Sequence, residues 1–159
     1  MNLKNDTDSF IKLVDATIKR NNITIILDLE ENIHIQGYPN ELIQCFMNIF
    51  NNAKDALVEN NDEDDRFIFI SQIINENNVI IEFKDNAGGI PEDIIDKVFE
   101  PYFTTKHKSQ GTGLGLHMSY NLVTNGMKGT LEVKNDEYDF NGKHYKGACF
   151  GIVIPLNIS

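Results

Sequence analysis

Two asparagines, Asn48 and Asn52, stand four residues apart in a stretch whose apolar residues recur every three or four positions. On a helix this spacing places both side chains on the same face. An amide oxygen is a hard ligand that suits magnesium, which otherwise keeps waters and substrate phosphates around it. The alternative interpretation is a pair of exposed asparagines on a helix surface without a function, because asparagine is a common residue and does not by itself indicate a binding site.

A carboxylate followed by two glycines forms the second group. Asp85 lies just past an apolar, strand-like run and precedes Gly88 and Gly89. A carboxylate at the end of a strand can accept a hydrogen bond from an exocyclic amine such as that of adenine, and glycines let a flat base approach the backbone closely. A plain turn is the alternative interpretation.

The third group is the glycine-rich run at positions 111–116, which opens a predicted helix. Free backbone amides and the positive end of the helix dipole suit phosphate groups there. The spacing is neither that of a Walker loop, because no Lys-Ser or Lys-Thr follows, nor the dinucleotide fingerprint, and a hinge without a ligand is the alternative. Lys106 lies just ahead of it and either reaches a phosphate or only solvates the loop.

Composition and charge limit the class of protein. The chain has 159 residues and a formal net charge of −10 at pH 7, which disfavours general binding to nucleic acids or to anionic membranes. No apolar run is long enough to span a bilayer or to form a signal peptide. Cys45 and Cys149 lie far apart, without metal-ligand spacing. We expect a soluble domain in the reducing cytoplasm, with no direct membrane contact.

The helices that must carry these groups are predicted from apolar periodicity. The longest covers residues 41–59, after a break at Pro39. A first helix is expected to be capped by Asp8 or Ser9, and a short helix is expected to start at Pro91. A further helix covers residues 114–125, with Met118 facing inward and Gly126 as a left-handed stop. His117 shows no partner pattern, so a structural or exposed role is expected for it.

The strands are predicted at residues 23–29, 33–35, 67–74, 79–83, 130–134 and 148–155. Most of them are joined by hairpins rather than by regular crossovers. The sequence therefore predicts an α/β (α+β) fold, a two-layer sandwich of a mixed, largely antiparallel sheet with helices on one face.

The three groups, with the segment Phe99-Glu100-Pro101-Tyr102-Phe103, resemble the catalytic, ATP-binding domain of bacterial sensor histidine kinases. This family shares its ATPase fold with gyrase, Hsp90 and MutL. In it the blocks are called the asparagine box, first glycine box, phenylalanine box and second glycine box, and they occur here in that order. The resemblance extends from about residue 39 to residue 155.

The resemblance implies a role for each block. Asn52 would coordinate Mg²⁺, with Asn48 beside it near the phosphates of ATP. Asp85 would recognise adenine, and Gly89 would shape the base pocket. Residues 100–110 would form the ATP lid. The triphosphate would be held by the second glycine box and a candidate catalytic lysine: Lys106, Gly111, Thr112, Gly113, Leu114, Gly115 and Leu116.

The sequence also departs from the family pattern. Ala87 stands where the family often has glycine, and Asp55 and Ala56 stand where many members have a basic and an aromatic residue, which makes Lys106 the candidate for the missing phosphate contact. The family's phosphoacceptor motif is not found. We therefore expect residues 1–22 to be a linker or the tail of a preceding helical domain, and residues 23–159 to be the ATP-binding catalytic domain.

The implied function is the catalytic module of a two-component sensor histidine kinase. Related ATPases that hydrolyse ATP use a glutamate where this chain has Asn48, and an amide cannot accept a proton as a carboxylate does. ATP would then persist until a histidine on a separate dimerisation domain attacks it. A response regulator would be an indirect partner. Whether the parent protein is anchored in a membrane is left open by the sequence. The alternatives are an anti-sigma-factor-type serine kinase and a non-catalytic nucleotide-binding module.

Overall fold

A five-stranded sheet and three α-helices form the computed structural model, which describes residues 2–35, 39–101, 103 and 115–156. In chain order the elements are α1 Leu3–Arg20, β1 Thr24–Leu29, α2 Pro39–Asn60, β2 Phe67–Asn75, β3 Asn78–Asp85, α3 Gly115–Asn121, β4 Thr130–Phe140 and β5 Lys143–Pro155. A 3₁₀ turn covers Ile95–Lys97, and a π-helical turn, Leu122–Gly126, continues α3.

The sheet has the strand order β1-β2-β3-β5-β4. β1 pairs with β2 in parallel, and the other neighbouring strands are antiparallel. Along β2 the side chains alternate between fully buried, such as Ile68 and Ile70, and half-buried, such as Phe67 and Phe69. This alternation follows from the two-residue period of a strand when helices cover one face of the sheet. The mixed, largely antiparallel sheet predicted from the sequence is confirmed.

Four phenylalanines join the helices to the sheet. The ring of Phe10 in α1 lies 5.6 Å from that of Phe46 and 5.9 Å from that of Phe50, both in α2. Phe46 in turn lies 5.2 Å from Phe83 in β3. Burial of each such ring contributes about 2–3 kcal/mol. Helix α1 thus shares one core with the rest of the chain, and its assignment to the tail of a preceding domain stays a prediction.

Two predicted helix ends were wrong. Helix α1 begins well before Asp8, because the side chain of Asn2 accepts a hydrogen bond from the backbone N–H of Asn5 at 3.2 Å and caps it. After α3, Gly126 lies inside the π-helical turn, and the residue there with a left-handed backbone is Lys128, at φ 57°.

Three other predictions also differ from the structure. Residues 33–35 form no strand, since His34 makes only an isolated bridge with Asn2. Pro39 begins α2 rather than breaking the chain, because proline lacks an N–H that the first helical turn would leave unpaired. Strands β4 and β5 extend towards each other into a long hairpin, where Tyr138 packs against Phe69 across the half-buried face of the sheet.

Candidate functional site

The first asparagine connects two helices. Asn48 projects from α2, and its amide nitrogen donates to the carbonyl oxygen of Gly115 at 3.0 Å and to the hydroxyl oxygen of Ser119 at 2.8 Å. Its amide oxygen accepts a hydrogen bond from the side chain of Gln44 at 3.3 Å. The asparagine block therefore contacts the start of α3, although the two are far apart in the sequence.

The second asparagine has a different environment. Asn52 lies one turn further along α2, is half-buried, and forms no hydrogen bond with any other residue that the structure describes. Its amide oxygen is thus available to a ligand. Within the described residues, no group of three or more histidines, cysteines or acidic residues lies close enough together to hold a metal ion.

Asp85, the last residue of β3, is only 3% exposed. Its Oδ1 accepts hydrogen bonds from the backbone N–H groups of Ala87 at 3.0 Å and Ala148 at 3.1 Å. Burial raises the pKa of Asp85 to about 6, and these two donors oppose the rise. The other carboxylate oxygen, Oδ2, has no hydrogen-bond partner in the described part of the chain, so it can accept a bond from a ligand.

Strands β4 and β5 close tightly over Asp85. The hydroxyl of Tyr138 donates to the carbonyl oxygen of Asp85 at 2.6 Å, and burial, followed by the nearby charge of Asp85, raises the pKa of this hydroxyl so that it stays a donor. A Cβ at Gly147 would lie 1.7 Å from the same carbonyl oxygen. Only glycine fits there, because β5 passes directly over the end of β3.

The glycine turn after Asp85 is held by a residue that the sequence analysis missed. Asn135 in β4 accepts a hydrogen bond from the N–H of Ile90 and donates one to its carbonyl oxygen, both at 2.7 Å. Gly89 has φ +87°, and a Cβ on it would lie 2.7 Å from the Asn135 Oδ1 atom. Asparagine is uncommon in the middle of a strand, and this was the feature of the sequence from which a role for Asn135 could have been predicted.

Asn86 and Ala87 complete the turn. The buried side chain of Asn86 accepts from the N–H of Phe67 at 2.9 Å and donates to the carbonyl oxygen of Asp65 at 3.1 Å. Its own carbonyl oxygen accepts from the side chain of Asn61 at 2.9 Å, which ties the turn to the end of α2. Ala87 is 8% exposed, belongs to the core and has no positive φ. The turn therefore accommodates alanine in place of the family's frequent glycine.

The aromatic segment packs on α3. The Phe99 ring stacks on Tyr120 at 5.5 Å and meets Phe150 of β5 edge-on at 6.1 Å. The carbonyl oxygen of Phe99 accepts a hydrogen bond from Nδ1 of His117 at 3.1 Å. The structural role expected for His117 is thus visible as a bond between α3 and the aromatic segment.

The second glycine block is described only from Gly115 onward. A Cβ on Gly115 would lie 3.3 Å from the Asn48 Oδ1 atom, so the two helices meet closely there. Met118 is 54% exposed, so its predicted inward orientation was wrong. Ser119 is fully buried instead, and its hydroxyl is satisfied by the bond from Asn48. The remaining predicted residues lie outside the described ranges: Tyr102, Lys106, Gly111, Thr112, Gly113 and Leu114.

Comparison with known families agrees with this arrangement. The sequence profile of the family "Histidine kinase-, DNA gyrase B-, and HSP90-like ATPase" matches residues 37–158. The chain therefore belongs to this family of ATP-binding ATPase domains. None of the helices in the described ranges is long and apolar enough to cross a membrane.

Curated relatives are sensor kinases. Two-component sensor PprA of Pseudomonas aeruginosa is 36% identical over 77% of this chain and 12% of its own length. Sporulation kinase A of Bacillus subtilis is 33% identical over 98% of this chain and 23% of its own length. The chain thus spans less than a quarter of either relative.

Solved structures show the same fold. The catalytic domain of histidine kinase ThkA superposes with a TM-score of 0.80 and 25% identity, covering 98% of this chain and 93% of that domain. The mycobacterial sensor histidine kinase MprB gives a TM-score of 0.77 at 20% identity, covering 98% of this chain and 95% of that one. Both comparisons agree with the two-layer α/β fold.

Proposed function

We propose that this chain is the ATP-binding catalytic module of a two-component sensor histidine kinase, which transfers the γ-phosphate of ATP to a histidine on a separate dimerisation domain. The observation that carries the proposal is the buried Asp85 carboxylate. Its Oδ1 is occupied by two backbone donors and its Oδ2 has no partner among the described residues. A carboxylate fixed in this way at a glycine turn suits one specific polar ligand group.

The ligand group at Asp85 is the exocyclic amine of adenine. An ionised carboxylate only accepts hydrogen bonds, and the adenine amine is a donor. Guanine carries a carbonyl oxygen at that position, so two acceptors would face each other in a buried site and guanine would be rejected. Gly89 and the Ile90 backbone, held by Asn135, form the adjoining surface on which the base would lie.

The phosphates of ATP belong at the other end, near α2 and α3. Asn52 would hold Mg²⁺ through its amide oxygen, and Mg²⁺ would supply charge neutralisation at the phosphates. Gly115, Leu116 and the residues before them would hold the triphosphate through backbone N–H groups, with Lys106 as the additional positive charge. The supporting observation is the direct contact between Asn48 and Gly115, which joins the two blocks.

Asn48 favours a kinase over a hydrolase. Both N–H groups of its amide are donated to α3, and an amide cannot take a proton from water. Activation of water at this position is therefore disfavoured, and ATP would persist until an imidazole nucleophile arrives. Asn48 acts in this proposal by position, close to the phosphates, rather than as a base.

The partner would be a histidine-bearing dimerisation domain, with a response regulator acting next. ThkA has been crystallised in complex with the response regulator TrrA, which supports a response regulator as a partner. We place the reaction in the cytoplasm, where the free thiols of Cys45 and Cys149 would stay reduced.

The test has a binding step and a transfer step. Calorimetry with ATP and GTP, with and without Mg²⁺, measures affinity for the wild type, Asp85→Asn and Asn52→Ala. Asn51→Ala is the matched control, since Asn51 is the exposed neighbour of Asn52 on the same helix. We expect Asp85→Asn to weaken adenine selectivity, Asn52→Ala to remove the Mg²⁺ dependence, and Asn51→Ala to change neither.

The transfer step uses γ-³²P-ATP and the histidine-bearing domain of the parent chain. Acid-labile, base-stable label on a histidine supports the proposal. Label on a serine of a partner protein would replace it with the serine-kinase alternative. ATP binding without any transfer would leave a nucleotide-binding module, and no ATP binding by the wild type would refute the proposal altogether.

A further inference from the structure

His117 lies in α3 with both ring nitrogens engaged. Its Nδ1 lies 3.1 Å from the carbonyl oxygen of Phe99, and its Nε2 lies 3.3 Å from the side-chain amide nitrogen of Asn121. A carbonyl oxygen only accepts and an amide nitrogen only donates. Nδ1 therefore carries the proton that is donated to Phe99, and Nε2 faces the amide of Asn121.

This bond joins two distant points of the chain. Phe99 is the first residue of the aromatic segment, and His117 belongs to the first turn of α3. The Phe99 ring also stacks on Tyr120 at 5.5 Å, three residues after His117, with an angle of 29° between the rings. One face of α3 thus holds both the backbone and the side chain of Phe99, because residues three apart on a helix are neighbours.

Helix α3 is bonded on a second side as well. Asn48 donates to the Gly115 carbonyl oxygen and to the Ser119 hydroxyl. The helix has only seven residues, so these side-chain bonds and those of His117 hold it in place together with the packing of Leu116 against the core. Among the described residues, loss of the bond from His117 would leave α3 joined to other elements by side-chain hydrogen bonds from α2 alone. These come from Asn48 and from the thiol of Cys45, which lies 3.9 Å from the Ser119 carbonyl oxygen.

We propose that His117 is a positioning residue of the nucleotide site. Its Nδ1–H bond to Phe99 fixes α3, and α3 in turn places Gly115 and Leu116 where the triphosphate is held. The inference rests on the proposed function, since it assumes that ATP binds between Asp85 and α3. Because this bond forms before the ligand binds, less conformational entropy is lost on binding. Loss of the bond would therefore lower the affinity for ATP.

Two substitutions separate hydrogen bonding by His117 from simple space filling. In His117→Asn the amide nitrogen is attached to Cγ, as Nδ1 is, so it can still donate to the Phe99 carbonyl. In His117→Gln the amide nitrogen stands one atom further out, near the position of Nε2, and cannot reach it. We expect His117→Gln to bind ATP about threefold to tenfold more weakly, the range that one hydrogen bond is worth, and His117→Asn to stay near the wild type.

The measurement is calorimetry with Mg²⁺-ATP on the wild type, both variants and the control His144→Gln. His144 is exposed on the β4–β5 hairpin, and among the described residues its ring bonds to Asp139 and Glu137 alone. Thermal melts of each protein show whether it folds. Equal affinities in all four proteins, or equal losses in both His117 variants, would overturn the proposal. Failure of the wild type to bind ATP would count against the proposed function instead.

The tautomer gives a second readout that does not depend on ATP. Long-range ¹H–¹⁵N correlation spectra of the imidazole distinguish a protonated Nδ1 from a protonated Nε2. We expect the spectra to show the proton of the His117 ring on Nδ1. The signals of the His117 ring should be the same in His144→Gln as in the wild type. A proton on Nε2 of His117 would contradict the bond to Phe99 and with it the positioning role.

Discussion

The turn around Asp85 and the surroundings of α3 are built differently, although both belong to the same candidate site. Asp85 is covered by β5, is held by backbone donors from Ala87 and Ala148, and has the Tyr138 hydroxyl on its carbonyl. Helix α3 is fixed by side-chain bonds from half-buried residues, Asn48 and His117. Bonds among buried backbone groups open less readily than bonds near solvent. The base end of the site is therefore expected to be pre-formed, and the phosphate end easier to rearrange.

The largest effect is expected from Gly147→Ala. The added Cβ would lie 1.7 Å from the Asp85 carbonyl oxygen, a backbone atom with no freedom to withdraw. We expect a loss of about 4 kcal/mol in the free energy of unfolding, above the usual cost of overpacking. Urea denaturation measures it. Gly151→Ala in the same strand is the control, because nothing lies within 4 Å of a Cβ there; equal stabilities would show that the strands are not in close contact at Asp85.

The second effect concerns pH. Burial raises the pKa of Asp85 to about 6, against an ordinary value of 3.8 in the unfolded chain. The folded state thus binds this proton more tightly, and the resulting stabilisation is complete below pH 3.8 and is lost as the pH rises through 6. Between pH 7 and pH 4 we expect the wild type to gain about 2–3 kcal/mol relative to Asp85→Asn.

Urea unfolding of both proteins across this range isolates Asp85, since all other carboxylates titrate alike in the two. A constant difference between the curves would mean that Asp85 is not desolvated. The affinity of the wild type for ATP should fall as the pH is lowered from 7 to 4, because a protonated carboxyl is a poorer acceptor for the adenine amine.

A smaller effect is expected from Asn135→Ala. It leaves the N–H and the carbonyl of Ile90 without their partner and frees the Gly89 turn. We expect ATP affinity to fall about tenfold, equivalent to about 1.4 kcal/mol. Calorimetry measures it, with Glu132→Ala as an exposed control on the same strand. An unchanged affinity would show that the turn holds its shape without Asn135.

The smallest expected effect is the coupling between Asn48 and Ser119. Their side chains are joined at 2.8 Å, so the single changes Asn48→Ala and Ser119→Ala should not add. A double-mutant cycle of unfolding free energies is expected to give a coupling of about 1 kcal/mol. Strict additivity would mean that the bond contributes nothing and that α3 is fixed in some other way.

Most of the site blocks could be predicted from local sequence, because each is a short run with its own chemistry. The spacing of Asn48 and Asn52, and the position of Asp85 after an apolar strand, were sufficient to place them on α2 and at the end of β3. Asn135 and Tyr138 were missed, since β4 was expected to end near Lys134 and their partners lie far away in the sequence. The roles of Lys106 and the glycines at positions 111 and 113 stay predictions.

The order of apolar and polar residues was enough to specify a mixed sheet under helices and to locate the chemical groups along the chain, because periodicity and turn chemistry act over a few neighbouring residues. It could not specify that β5 lies against the Asp85 carbonyl, that Asn48 reaches Ser119 or that His117 bonds to Phe99. Those contacts depend on how strands and helices from distant parts of the chain pack together, and local sequence does not encode that geometry.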